Sequence, residues 1–427
     1  MSPKFWKRSR RPAFISTQQR LSSKKSCLNR TYIDLVRSRR EQKGRSLPNT
    51  GQCATLLRVG RGSGGTSGRN PDDRSARSIR LKDLADHLGL APATVSLVMN
   101  GSAVADTIAP KTKKLIFAAA RKLNYRPNFF ARCLRTQRSF TIGVLVPEVS
   151  EGYNVTVLSG IEDHLLQEGY FYFVASHRFR PDLIDEYSQL FQHRSVDGLI
   201  VVCTPWHHSL PFPVATVSCH HTVKGATSIV LDHNHAAEIA LQHLVGLGHK
   251  NIAFIRGQAF VPDTEVRWNA IVEVAEAMGL PICEKLVTQI EDNSPSPHLG
   301  YKATQKLLAS GESFTALFAF NDICAMGAIR ALHEFGLRVP EDVSVLGFDD
   351  IESAAYQTRG LTTVQQPLKE MGKIAAENVL GRILRPTKRF DDVAPAEIVV
   401  KPKLIERETT GLAPRRRGVR KAVLPLR

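Results

Sequence analysis

The chain reads as an α/β protein, with a three-helix helix-turn-helix unit at the front and a two-lobed core of doubly wound parallel sheets behind it. Three observations predict this. Residues 79–126 carry short runs of apolar residues at helical spacing, separated by tight turns. From Thr141 the period changes, and apolar strand-like runs alternate with amphipathic stretches of helical length. Those runs are too numerous for one comfortable sheet, so two lobes with a ligand cleft between them is the economical arrangement.

The first 77 residues are rich in Arg, Ser and Gly and offer little that could form a core, so 1–77 is read as a disordered basic extension. Its "GRGSGGTSG" lacks a Lys before the hydroxyl residues and is read as linker, not as a phosphate loop. The helix-turn-helix unit is assigned to 78–126. In "IRLKDLADHLGL", Leu81, Leu84, Ala85 and Leu88 share one face and Gly89 ends the helix. The second helix is "LAPATVSLVMNG", with Val95 and Val98 turned to the core. The third opens at Pro110, with Leu115, Ala119 and Leu123 predicted to share its buried face.

Residues 127–140 form a short helix and linker. Pro127 breaks the third helix, Asn128 caps a new one, and "NFFARCLR" has little to bury against within its own chain. Isolated helices this short are unstable in water. The core is assigned to 141–410. Its strands are "TIGVLVP", "FYFVAS", "VDGLIVV", "PVATVS", "SIVLD", "NIAFIRG", "KLVTQ", "ALFAFND" and "SVLGFDD", predicted to be buried on both faces. Helices are predicted over 155–169, 183–194, 235–248, 265–279, 298–310, 322–336 and 368–383, with lobe crossovers near 231, 365 and 385. A basic tail, 411–427, has no heptad leucines for a tetramerising coil.

Charge is unevenly placed. The formal net of +18 divides into +15 over 1–77, +8 over 78–140, −11 over 141–410 and +6 over 411–427. A basic front joined to an acidic body suits a polyanionic partner, and nucleic acid is the first candidate. Seven scattered cysteines without a C-x-x-C pair argue against a disulfide framework and for a reducing cytoplasm. No apolar leader core or membrane-length apolar run occurs, so no membrane partner is expected.

Enzymatic chemistry has little support. No G-x-S-x-G elbow or intact phosphate loop appears. Histidines cluster at His207–His208, His220–His221 and His233-x-His235, but along the chain no carboxylate completes a metal ligand set. They are read as surface and loop histidines, and no cofactor or metal is expected.

The chain resembles the LacI/GalR family of bacterial transcription regulators over about residues 79–408. The motifs that carry the resemblance are "IRLKDLADHLGLAPATVSLVMNG", "RKLNYRPNFFARCLRT", "FTIGVLVP", "SVDGLIVV", "LVGLGHKNIAFIRG", "FAFNDICAMGAIRALHEFGLRVPEDVSVLGFDD" and "LTTVQQPL". Each alone is weak, but their order is specific. The resemblance implies a hinge helix, a core like the periplasmic sugar-binding proteins, and a homodimer on a pseudo-palindromic double-stranded operator. It also implies a small-molecule effector that sets operator affinity.

By that pattern Pro92, Ala93 and Leu97 occupy base-reading positions of the second helix. Leu97 stands where the family most often has Arg, so the reading shifts from bidentate bonds to shape and thymine-methyl contact. Thr94, Ser96 and Asn100 suit phosphate oxygens. The loop "GSAVADTI" is longer than the usual connection. Leu134 matches the family's minor-groove wedge, and Ala131 the small residue where two hinge helices approach. Arg267, Asn321 and Asp349 match effector contacts and suit a sugar or sugar-like molecule. Ser218 stands where an Asp is common, Ala270 replaces a frequent Gly, and "EVSEGYNV" replaces a short aromatic segment. The rival reading is a solute sensor of the same fold whose DNA binding is mainly non-specific and electrostatic.

Overall fold

The computed structural model describes residues 79–127, 133, 136–150, 152–220, 223–292, 296–384 and 396–414. Asn128, Ala131 and Leu134 of the short helix lie outside the described residues, as does nearly all of the extension and the end of the basic tail. The chain divides into two compact units between Arg126 and Pro127.

The first unit holds helices α1 (Leu81–Leu88), α2 (Pro92–Met99) and α3 (Pro110–Lys122) around a small core of Leu84, Ala85, Val95, Val98, Ala105, Ile116, Ala119 and Ala120. Asp83 accepts the Arg80 backbone N–H at 2.8 Å and so opens α1. Gly89 closes it at φ +62°, its N–H returned to the carbonyls of Ala85 and Asp86. That left-handed turn favours glycine and lets α2 cross α1 directly. The long connection is not loose. It forms a 3-10 turn, Ala103–Thr107, which buries Ala105 in the core.

The buried face of α3 differs from the one read from spacing. Leu115 is 53% exposed and Ile116 is fully buried, with Ala119 and Ala120 beside it. One residue turns a helix by about 100°, and the β-branched Ile, not the Leu, meets α1 and α2.

Among the described residues, the second unit contains two six-stranded sheets. The strands are β1 (Thr141–Val146), β2 (Phe171–Ser176), β3 (Gly198–Val202), β4 (Val214–Val217), β5 (Ala226–Leu231), β6 (Ile252–Arg256), β7 (Val287–Gln289), β8 (Ala316–Phe318), β9 (Ser344–Asp349), β10 (Thr362–Gln365), β11 (Ala396–Val400) and β12 (Lys403–Ile405). The first sheet has the order β11-β5-β4-β3-β1-β2, the second β12-β10-β9-β8-β6-β7. Every pairing is parallel except β10 with β12. Between them run α4 (Tyr153–Gln167), α5 (Pro181–His193), α6 (His233–Gly246), α7 (Asp263–Ala277), α8 (Pro297–Ala309), α9 (Asp322–Glu334), the short α10 (Glu352–Ala355) and α11 (Leu368–Leu384).

The predicted strands β1–β9 are all present. The central ones are buried throughout because Ile, Val and Leu face helices on both sides. β2 departs from that expectation: it is an edge strand, with Phe171 61%, Phe173 46% and Val174 37% exposed. The chain passes from the first lobe to the second after β5, near 231, and back after β10, near 365. The third crossing lies between Val400 and Lys403, not near 385, because β11 pairs with β5 before β12 joins β10. In the first lobe α4 and α11 cross closely. A Cβ on Gly160 would lie 1.9 Å from the Lys369 carbonyl oxygen, and one on Gly372 2.0 Å from that of Val157.

Candidate functional site: the interlobe cleft and the exposed second helix

The carboxyl ends of strands from both sheets converge on one cleft of about 110 Å³. Open parallel sheets bind ligands at this end because the loops that follow the strands gather there. From the first lobe come Pro147 and Glu148 after β1, Tyr153 and Asn154 opening α4, Phe179 after β2 and Cys203 after β3. From the second come Asp263 and Arg267 on α7, Phe320 and Asn321 after β8, and Asp349 at the end of β9. All three effector residues matched from sequence, Arg267, Asn321 and Asp349, therefore line one cavity.

Asp349 is 5% exposed and has φ +112°, a conformation unusual for a residue with a side chain. Its Oδ1 accepts a hydrogen bond from Gln366 Nε2 at 2.7 Å. Burial pushes the carboxyl up to about 7, against the opposing pull of Arg267 and Gln366. Its neighbour Asp350 is tied elsewhere, accepting from Arg407 Nη2 at 2.7 Å and Gln365 Nε2 at 2.8 Å. Asp349 lines the cleft while Asp350 is held by Gln365 and Arg407.

Arg267 is 4% exposed and its guanidinium lies over two aromatic rings. Its guanidinium carbon lies 3.7 Å from the Phe348 ring centre and 4.6 Å from that of Phe320. Nη1 donates to the Phe320 carbonyl at 2.5 Å, Nη2 to Asp263 Oδ2 at 3.4 Å, and Nε has no protein partner.

Asn321 does two things. Its Oδ1 caps α9 by accepting the Cys324 N–H at 2.9 Å, and the residue also lines the cleft. Asp322 beside it is structural: Thr363 Oγ1 donates to Oδ1 at 2.6 Å and the Ile351 N–H to Oδ2 at 2.9 Å. In the first lobe, the Tyr153 hydroxyl and Ser218 Oγ lie 2.5 Å apart. Burial, with the charge of Asp263, holds the Tyr153 phenol well above its usual range, so it stays a neutral donor.

Sequence reasoning missed Asp263. It lies one turn before Arg267, at i and i+4, and that spacing was the available signal. The fold brings it to His220, whose Nε2 is 2.7 Å from Asp263 Oδ1, and to His233, whose Nε2 is 3.7 Å from the same oxygen. The carboxylate that the histidine clusters lacked along the chain is supplied in space.

In the first unit, Pro92, Ala93 and Asn100 are exposed, and Thr94, Ser96 and Leu97 are partly buried. Leu97 packs against the unit's own core, so part of its surface is already used. Asn100 Nδ2 donates to the Ser96 carbonyl at 2.7 Å and to Ser96 Oγ at 3.1 Å, which ties off the end of α2. Both amide hydrogens are thereby committed inside the unit. Lys113 lies 3.6 Å from Asp106, whereas Lys111 and Lys114 on the same helix are exposed.

A helix-turn-helix unit joined in one chain to a two-lobed cleft defines a ligand-responsive DNA-binding regulator. Comparison with known proteins agrees. The bacterial regulatory proteins of the lacI family match residues 80–128, and the periplasmic binding protein-like domain matches 241–410. The HTH-type transcriptional repressor PurR of Yersinia pestis bv. Antiqua (strain Antiqua) is 31% identical over 343 residues, which span 78% of this chain and 97% of PurR. Among solved structures, the lac repressor dimer bound to operator and the anti-inducer ONPF superposes with a TM-score of 0.68 at 25% identity, over 78% of this chain and 100% of that one. A LacI family regulator from Enterococcus faecium with bound ribose gives a TM-score of 0.55 at 27% identity, over 64% of this chain and 99% of that one. The transcriptional regulator CelR in complex with cellobiose gives 0.56 at 26% identity, over 78% and 99%. The chain belongs to the LacI family, and its relatives are transcriptional regulators, not enzymes. Among the described residues no helix is long and apolar enough to cross a membrane.

Proposed function

We propose that this protein is a cytoplasmic repressor that binds a pseudo-palindromic operator as a homodimer and is controlled by a sugar. The observation that carries the reading is the cleft itself. Asp349, Asn321 and Arg267 bring acceptors and donors to one cavity that Phe179 and Phe320 also line. Adjacent hydroxyls satisfy both kinds of group, and aromatic faces cover the apolar face of a sugar ring. The ribose and cellobiose bound by the two structural neighbours support the same class.

On the DNA side, Pro92 and Ala93 present a small, apolar surface to base edges, and Leu97 adds what remains of its side chain. Thr94 and the Ser96 hydroxyl contact phosphates, while Asn100 holds the helix end. Asn128, Ala131 and Leu134, outside the described residues, act at the operator centre, with Leu134 as the minor-groove wedge. The apolar edge at Phe171, Phe173 and Val174 is the surface through which two copies associate. Sugar and operator favour different lobe arrangements, a coupling of about 1–3 kcal/mol that acts in both directions.

The test is selection of bound sequences from random duplex DNA by the full chain at near-physiological salt, with and without a panel of sugars. Recovery of a pseudo-palindrome whose affinity changes with one sugar supports the reading. Salt-sensitive binding without a motif refutes sequence-specific repression and leaves the electrostatic alternative.

A further inference from the structure

We infer that His220, His233 and Asp263 form a zinc(II) site that clasps the two lobes together. His220 follows β4 of the first sheet, His233 opens α6 just after the first crossover, and Asp263 opens α7 in the second lobe. The three candidate ligand atoms all lie within 4.8 Å of one another. In a tetrahedral zinc site with ligand bonds near 2.0–2.2 Å, neighbouring ligand atoms sit about 3.3 Å apart. The observed separations of 2.7 Å (His220 to Asp263) and 3.7 Å (His233 to Asp263) bracket that value, and the two imidazoles lie within 4.8 Å of each other.

The burial of the set points to a ligand. His233 is 5% exposed and neither of its ring nitrogens has a protein hydrogen-bond partner. Asp263 is 2% exposed. Buried polar groups are as a rule satisfied, and an unpartnered imidazole aimed at a buried carboxylate is an exception that a cation would resolve.

Two imidazoles and one carboxylate suit zinc and leave one coordination position open. Asp263 would give Oδ1 to the metal and keep Oδ2 for Arg267, which lies 3.4 Å away, so the guanidinium acts as an outer partner of the site. Because Arg267 also lines the cleft, the metal stiffens an effector contact.

The test uses the full chain stripped of metal with a chelator and titrated with zinc, without DNA or sugar. The expected result is one ion per chain by elemental analysis, a raised thermal midpoint, and visible absorption bands of low-coordinate geometry when cobalt(II) replaces zinc. His220→Ala, at a partly exposed loop position outside the apolar cores, should keep the circular dichroism of the parent and bind at least about tenfold more weakly. Failure of the parent chain to bind zinc stoichiometrically overturns the site. So does equal affinity in His220→Ala and the parent. Neither result touches the regulator reading, which is measured on DNA.

Discussion

Replacing Asp349 with Asn should stabilise the effector-free protein, and by an amount that grows with pH. Folding raises the Asp349 carboxyl from 3.8 to about 7, first through burial. For an acid raised by folding, the associated stability is complete below the unfolded value and is lost as pH rises through the folded one. Each tenfold change in an ionisation constant corresponds to about 1.4 kcal/mol. Ionising Asp349 therefore costs the folded state about 1–2 kcal/mol at about pH 5 and about 4 kcal/mol at about pH 8. Asn does not titrate, and its side-chain oxygen still accepts from Gln366 Nε2. The advantage of Asp349→Asn should then widen by about 2–3 kcal/mol between those two pH values. Urea unfolding of both proteins, followed by tryptophan fluorescence, measures it, with Trp268 on α7 reporting the same lobe. Groups shared by the two chains cancel in the difference. A pH-independent difference, or one that narrows as pH rises, would refute the burial argument. The same variant should lose sugar affinity by about 10–100-fold, the usual worth of a charged hydrogen bond. A ligand-contacting carboxylate held at a stability cost is the signature of a binding site.

Three other outcomes follow from the geometry. Phe173→Glu, on the exposed edge of the first sheet, should leave a monomer at micromolar concentration in sedimentation; a dimer unchanged from the parent removes β2 from the interface. Arg267→Lys keeps the charge but loses the flat contact with Phe348 and Phe320 and the paired donors, so thermal stability should fall by about 1–3 kcal/mol and sugar affinity with it. Leu97→Ala should cost the helix-turn-helix unit about 1 kcal/mol, since the side chain is only partly buried, and should also weaken binding to the selected operator. A loss of stability with no loss of operator affinity would make Leu97 a packing residue only.

Much of this architecture was legible in the chain. The central strands of both sheets announced themselves because a strand covered on both faces must be apolar along its whole length, and "TIGVLVP" or "SVLGFDD" allows little else. α1 was readable for a similar reason: Leu81, Leu84, Ala85 and Leu88 at helical spacing, with Gly89 the cheap left-handed stop. Arg267, Asn321 and Asp349 were singled out through the family resemblance, and for Asn321 and Asp349 the end of a predicted strand placed them where ligands bind. What spacing could not decide was which of two adjacent apolar residues wins a shared core, as at Leu115 and Ile116, since either satisfies the helical period and only the opposing helices choose. Nor could it tell that β2 is an edge strand, because "FYFVAS" has the composition of a buried one and edge position is a property of the sheet. The grouping of His220, His233 and Asp263, and the raised carboxyl of Asp349, belong wholly to tertiary structure. Proximity between residues far apart in the chain, and the loss of water around a charge, arise only when separate elements close over the same volume.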